Sequence, residues 1–138
     1  MASLSFENLR VYQLSEQLAD EIWRIVLTWD ALSRDTVGKQ IVRAVDSIGA
    51  NIAEGSGRGT FPDNRRFVRI ARGSLYEARH WLRRAFLRNL LTEAQTETLK
   101  QHVTSLGPQL NAYLKSIAQQ PIQNQQPIQN QQPTTNNE

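Results

Sequence analysis

The sequence predicts an all-α protein, an antiparallel up-down-up-down four-helix bundle with a disordered C-terminal tail. Four stretches carry apolar residues at steps of three and four, the period of a helix with one buried face. No stretch alternates apolar and polar residues as a half-buried strand would. From residue 119 onward Gln, Asn and Pro dominate, with PIQNQQ repeated at 121–126 and 127–132. We therefore predict a bundle over residues 1–118 and a disordered tail over 119–138, which is either a tether or a repeat without function.

The first helix is predicted over residues 6–29, and the second from an N-cap at Ser33 or Asp35 to about Glu54. Gly49 costs roughly 1 kcal/mol relative to alanine inside a helix, so we expect another backbone to approach it closely. Gly55 is expected to end the helix in the left-handed conformation. The predicted core stripe of the first helix is Val11, Leu14, Leu18, Ile22, Ile25 and Trp29, widened by Tyr12, Ala19, Trp23 and Val26. That of the second is Val37, Ile41, Ala44, Val45, Ile48 and Ile52.

The third helix is predicted from a cap at Thr60 to about Leu90, with Pro62 and Asp63 in its first turn. Its predicted inward face is Phe67, Ile70, Ala71, Ser74, Ala78, Trp81, Leu82 and Ala85. Its predicted outward face is Arg65, Arg69, Arg72, Tyr76, Arg79 and Arg83, flanked by Arg66, Arg84 and Arg88.

The fourth helix is predicted to begin at a capping box formed by Thr92 and Gln95. We expect a kink or a short break at Pro108, because proline lacks a backbone donor and crowds the carbonyl four residues earlier. The predicted apolar stripe is Leu99, Val103, Leu106, Leu110, Leu114 and Ile117.

Composition narrows the class of protein. The chain has no cysteine, so disulfides and thiolate metal sites are excluded. No apolar run reaches the ~20 residues that span a bilayer, and the first residues do not resemble a secretory signal. We therefore expect a cytoplasmic protein.

Positive charge is concentrated on the third helix. Residues 60–90 hold eight arginines and two acids, a net charge of +6, whereas the whole chain carries +3, so the rest sums to −3. Of the 16 basic residues 13 are arginine, whose planar fork matches phosphate and stacks on bases. This distribution favours a nucleic-acid partner, and a GC-rich genome, which favours arginine codons, is the alternative reason for so many arginines. The predicted binding residues are Arg58, Arg65, Arg66, Arg69, Arg72, Arg79, Arg83 and Arg84.

Two alternatives to nucleic-acid binding stay open for this helix. Its arginines are either a solvated face or pair with acids of the first helix of a neighbouring subunit. Tyr76, within the arginine face, either stacks on a base or is an ordinary exposed tyrosine.

Other candidate sites are weak. The glycine segment 55–59 could bind an anion, but it follows a helix and lacks the lysine of a phosphate-binding loop. Glu77 and His80 have the Glu-x-x-His spacing of di-iron bundles, yet the second copy that such a site requires is missing. No serine is spaced for activation by a histidine or a carboxylate. We predict no enzyme activity, no cofactor and no metal.

Several segments together resemble the family called four helix bundle protein, also known as the 23S rRNA intervening-sequence protein family. It is similar to the accessory variability proteins of diversity-generating retroelements. The matching segments are FENLRVY at 6–12, residues 40–43, SIGANIAEGSGR at 47–58 and RFVRIARGSLYE at 66–77. The resemblance extends from about Ser5 to Ile117.

The resemblance implies a bundle that assembles as a homopentamer with a basic outer surface. It also implies RNA or DNA binding and, in some members, partnership with a reverse transcriptase. The resemblance further implies that Ser47, Asn51, Glu54 and Gly73 serve helix packing and the second loop. We therefore predict a non-catalytic nucleic-acid-binding accessory protein, with a homo-oligomeric protein–protein scaffold as the alternative.

Overall fold

Five α-helices and two short helical turns make up residues 6–118, the part of the chain described by the computed structural model. This part contains no strand. The predicted tail, residues 119–138, lies outside the described residues, so its disorder stays a prediction. The helices are α1 (Arg10–Val26), α2 (Ala31–Ser33), α3 (Lys39–Ser56), α4 (Phe61–Leu87) and α5 (Glu93–Ala118), with a 3-10 turn at Phe6–Asn8 and a π turn at Arg34–Gly38.

The four long helices form a bundle in which chain neighbours are also spatial neighbours. Helix α1 packs against α3 and α5, and α4 packs against the same two helices. Because short connections join successive helices, they run antiparallel. The predicted up-down-up-down four-helix bundle is confirmed.

Helix α1 has the core stripe that the sequence predicts, and all six predicted core residues from Val11 to Trp29 are buried. The helix itself ends at Val26, because the amides of Thr28 and Trp29 donate to carbonyls only three residues earlier and tighten the chain into a turn. The Trp29 indole N–H then donates to the Leu90 carbonyl at 3.0 Å, which ties this turn to the end of α4. Trp23 is 54% exposed, so it does not pack in the core of this chain as Tyr12, Ala19 and Val26 do.

The second predicted helix starts earlier than expected. The cap is Asp30, whose carboxylate accepts the Ser33 amide at 3.3 Å, rather than Ser33 or Asp35. The π turn, which is wider than a turn of α-helix, then leads into α3. Its last residue, Gly38, lies so near α1 that a Cβ would be 2.8 Å from the Val26 side chain. The predicted core stripe of the second helix, from Val37 to Ile52, is fully buried and confirmed.

Two glycines of α3 mark close helix approaches. A Cβ on Gly49 would lie 3.0 Å from the Ser15 hydroxyl and 3.3 Å from the Tyr12 ring of α1, so side chains, not the expected backbone, are its nearest neighbours. Gly55 does not end the helix in the left-handed conformation, since no glycine within residues 6–118 has a positive φ. It is buried inside α3, where a Cβ would lie 2.6 Å from Asn64 Oδ1 and 2.9 Å from Phe67 Cβ. The glycine is required there because α3 and α4 converge, not because the chain turns.

The core face of α4 is rotated relative to the predicted one. Ile70 is 43% exposed and Ser74 only half-buried, whereas Val68 and Leu75, absent from the prediction, are buried. Apolar residues lie on two adjacent faces of α4, so the sequence alone does not show which face is buried. The face that is buried also includes a polar residue, Asn64, which a search for apolar positions passes over. The buried positions of α4 are Phe61, Asn64, Val68, Ala71, Leu75, Ala78 and Ala85.

The ends of α4 have defined caps. Thr60 caps the start as predicted, accepting the Asp63 amide at 3.3 Å. At the other end Asn89 takes a left-handed conformation (φ 61°), and the Leu90 amide reaches back to the Ala85 carbonyl at 2.9 Å. This is a Schellman cap with asparagine in the place of the usual glycine.

Helix α5 opens with the predicted capping box, in which Thr92 and Gln95 each donate a backbone amide to the other's side chain, at 2.9 and 3.0 Å. Of the kink or short break expected at Pro108, the break is absent, since α5 is helical from Glu93 to Ala118. Because Pro108 has no backbone N–H, the Thr104 carbonyl four residues earlier lacks its helical hydrogen bond. Both residues are exposed, so water can bond to that carbonyl instead. No helix among residues 6–118 is both long and apolar enough to cross a bilayer.

Candidate nucleic-acid interface

The arginines predicted as binding residues differ in their surroundings along α4. Arg69, Arg79 and Arg83 are exposed, and Arg84 is partly exposed. None of these four has an acid within 4.0 Å among residues 6–118. We call Arg69, Arg79, Arg83 and Arg84 the open arginines.

Arg58 and Arg66 lie near the start of α4 and are held by acids, so we call them the paired arginines. Arg58 lies 3.2 Å from a Glu54 carboxylate oxygen and 3.8 Å from Asp63, and Arg66 lies 3.6 Å from Asp63. Both guanidinium groups also stack on the Phe67 ring, at 5.2 and 4.5 Å from its centroid. Two positive and two negative charges cancel here, so this end of α4 adds little to the potential.

Arg65 and Arg72 are half-buried on the flank of α4 rather than fully exposed. The Arg72 guanidinium donates to the Asn111 amide oxygen of α5 at 3.3 Å. The Arg72 side chain is thus held against α5, and both arginines are less exposed than Arg79 and Arg83.

Beside Arg79 and Arg83, two of the open arginines, a groove of about 760 Å³ runs between α4 and α5. Sequence reasoning missed this groove and Lys100, which stands on its α5 wall. The spacing of Thr96, Lys100 and Thr104 indicates a polar edge on α5, but only the fold shows that this edge faces Arg79 and Arg83.

The other candidates have ordinary contacts. Glu77 accepts a hydrogen bond from the Trp81 indole at 3.3 Å, and His80 is exposed with its ring edge against Trp81. Glu54 pairs with Arg58 and thereby ties the glycine segment to α3. In the described part of the chain no three His, Asp or Glu side chains are grouped to hold a metal ion.

Fold and charge together define an all-α four-helix bundle protein with an arginine-rich outer helix. The chain belongs to the family described as 23S rRNA-intervening sequence protein, whose model matches residues 7–112. This confirms the family resemblance read from the sequence.

A solved structure from Bacteroides thetaiotaomicron, described as a protein with unknown function from the S23 ribosomal protein family, shares the fold. It is 26% identical, with a TM-score of 0.68, and the match covers 76% of this chain and 95% of that one. Neither description states an enzymatic activity. No curated protein matches the chain significantly.

Proposed function

We propose that this protein is a non-catalytic, cytoplasmic accessory protein that binds RNA or an RNA–DNA hybrid on the outer face of α4. The open arginines carry this proposal, because unneutralised guanidinium groups on one rigid helix repel one another unless an anion lies between them. From Arg65 to Arg83 the helix extends about 27 Å at 1.5 Å per residue, a length comparable with several nucleotides of backbone.

Binding in this mode depends on charge and shape. Guanidinium groups contact phosphates, which are the same in every sequence, so we expect weak sequence preference. If five arginines neutralise phosphates, log K falls with log salt at a slope of about −3.5 on a single strand and about −4.5 on a duplex. The paired arginines take part only at the edge, after exchanging their carboxylates for phosphate.

A filter-binding salt titration of the full chain tests the proposal. We expect the variant Arg65→Gln/Arg69→Gln/Arg72→Gln/Arg79→Gln/Arg83→Gln to lose most of its affinity and most of its salt slope. The matched control, Arg10→Gln/Arg24→Gln/Arg34→Gln/Lys39→Gln/Arg43→Gln, removes the same number of positive charges from outside α4 and should keep more of both the affinity and the salt slope. Thermal melts of both variants verify folding, and unchanged binding by a folded five-arginine variant contradicts the proposal.

The family resemblance supports two further parts of the proposal: assembly as a homopentamer and partnership with a reverse transcriptase. Native mass measured with and without nuclease tests the first, since a pentameric ring should keep the mass of five subunits after its RNA has been digested. Copurification of a reverse transcriptase from the native host tests the second.

A protein–protein scaffold without nucleic-acid binding is the second candidate function. Large apolar side chains are exposed near the end of the bundle where α1 and α4 terminate, and exposed apolar surface typically marks an interface. These residues are Trp23, Leu27, Leu32, Phe86 and Leu87. A partner retained after nuclease treatment, together with absent RNA binding, would favour this function.

A further inference from the structure

The groove between α4 and α5 has an apolar floor. Leu99 is buried, and Leu82, Leu91 and Val103 are partly buried against the core. At about 760 Å³ the groove falls within the ~300–1,000 Å³ typical of sites for small ligands. Its floor offers an apolar surface to a flat group.

Positively charged side chains line both walls of this groove. Arg79 and Arg83 project from α4 and Lys100 from α5, and all three side chains are exposed. None of them has an acid partner within residues 6–118, and none of the residues lining the groove is acidic. The charge of the rim is therefore available to an anion that reaches over the apolar floor.

Tyr76 lines the same groove with a largely exposed ring. It is 60% exposed, and the Arg79 guanidinium lies over the ring at 5.6 Å from its centroid. A cation over one face of a tyrosine ring leaves the other face for a second planar group. Aromatic rings placed beside cations in this way stack on unpaired bases.

We propose that the groove binds an unpaired base of single-stranded RNA. Tyr76 stacks on the base, the leucine and valine side chains cover its apolar surface, and Arg79, Arg83 and Lys100 contact the flanking phosphates. This inference rests on the proposed function and specifies its ligand as a strand with accessible bases. A duplex keeps its bases in the helical stack, so it reaches only the cationic rim.

The charge of the rim would also suit an acidic, amphipathic protein segment. The exposed tyrosine with its overlying guanidinium favours a flat aromatic partner instead, because stacking gains most from a planar ring. A second copy of the chain or another protein in the groove would be detected as a change in native mass when Tyr76 is replaced.

Tyr76→Ala in the full chain is the deciding variant, with Tyr76→Phe to preserve the ring and Trp23→Ala as an exposed aromatic control on α1. The probes are an oligouridylate strand of about ten nucleotides and a blunt RNA duplex with the same number of phosphates. We expect Tyr76→Ala to weaken binding of the strand about tenfold, within the range measured for lost base stacking. Duplex binding and the salt slope should not change, because no charge is removed. Tyr76→Phe and Trp23→Ala should bind the strand as the wild type does.

The outcomes separate the two proposals. If the wild type binds neither probe with a salt slope, the proposed function fails, and this inference fails with it. If both probes bind with an arginine-dependent slope but Tyr76→Ala leaves the strand affinity unchanged, only the base groove is wrong. A changed native mass for Tyr76→Ala would also overturn the inference, since the groove would then be an interface between protein chains.

Discussion

The two ends of α4 use the same residue type in opposite ways. At the start of the helix, Arg58 and Arg66 are neutralised by Glu54 and Asp63 and stack on Phe67. In the second half, Arg79 and Arg83 have no acid nearby within residues 6–118 and border an open groove. The first end packs tightly against α3 at Gly55, while the second borders the groove between α4 and α5.

The difference shows that the number of arginines does not define a binding surface. What a guanidinium group can bind depends on what lies within about 4 Å of it. A carboxylate at that distance neutralises most of its positive charge, and the solvent screens the remainder. The paired end stabilises the junction of α3 and α4, and the open end retains charge for a ligand. Substitutions at each end test the two sides of this contrast separately.

The largest expected effect is on the stability of the tight end. Gly55→Ala places a Cβ 2.6 Å from Asn64 Oδ1 and 2.9 Å from Phe67 Cβ, so α3 and α4 must move apart. We expect a loss of roughly 1–3 kcal/mol in the free energy of unfolding, measured by urea denaturation.

Gly73→Ala is the matched control for Gly55→Ala. Gly73 lies inside α4, and a Cβ added to it would meet no atom of another helix within 4 Å, so alanine gains helix propensity without a clash. We expect stabilisation of up to about 1 kcal/mol. Destabilisation by both variants to the same extent would contradict the tight packing assigned to Gly55.

The next effect is on nucleic-acid affinity at the open end. Arg79→Gln/Arg83→Gln removes two unpaired cations beside the groove, so we expect RNA affinity to fall about tenfold and the salt slope to become shallower by about 1.4 on a single strand. Fluorescence anisotropy over a salt series measures both. A full slope in this variant would place the phosphate contacts elsewhere.

A smaller effect concerns the dependence of stability on alkaline pH. Burial raises the pKa of the Tyr113 hydroxyl above its ordinary value of 10.0, and the neighbouring Asn64 amide partly offsets this. The folded state therefore holds the phenolic proton more tightly than the unfolded state, and stability falls as pH rises above about 10. Tyr113→Phe should lose this component of the alkaline decline, as urea denaturation across pH 8 to 11 would show. An identical decline in the variant would assign it to other groups.

The smallest expected effect is no change at all. The variant Glu54→Gln/Arg58→Gln/Asp63→Asn/Arg66→Gln removes the whole paired group without altering the net charge. We expect RNA affinity within about twofold of the wild type, because these cations are already neutralised. A loss as large as that of Arg79→Gln/Arg83→Gln would remove the distinction between the two ends.

Most of the fold could be predicted from the sequence because α1 and α3 each carry one unambiguous apolar stripe. Val11 to Trp29 and Val37 to Ile52 follow the helical period, and every predicted core position in them is buried. The register of α4 could not be predicted as well, since Ile70 and Val68 support different faces and buried Asn64 breaks the pattern. The role of Gly55 was hidden for a related reason, because a helix contact, not a local turn, requires it.

The candidate site was predictable only as a set of residues. Counting charges along α4 identifies the arginines, and the spacings of Arg58 with Glu54 and of Arg66 with Asp63 are local helical ones. The contact of Arg58 with Asp63 depends on how the loop folds back. The groove needs Lys100 from another helix, and no local pattern places that lysine opposite Arg83. Tertiary structure therefore determines which of the predicted cations remain available.

Ultraviolet cross-linking of the full chain to single-stranded RNA, followed by mass mapping of tryptic peptides, tests the central claim most directly. The open end of α4 should carry the cross-links, in the peptides 73–79 and 80–83, with Tyr76 as a modified residue. Cross-links confined to α1 and α3, or to the paired arginines at the start of α4, would contradict the claim.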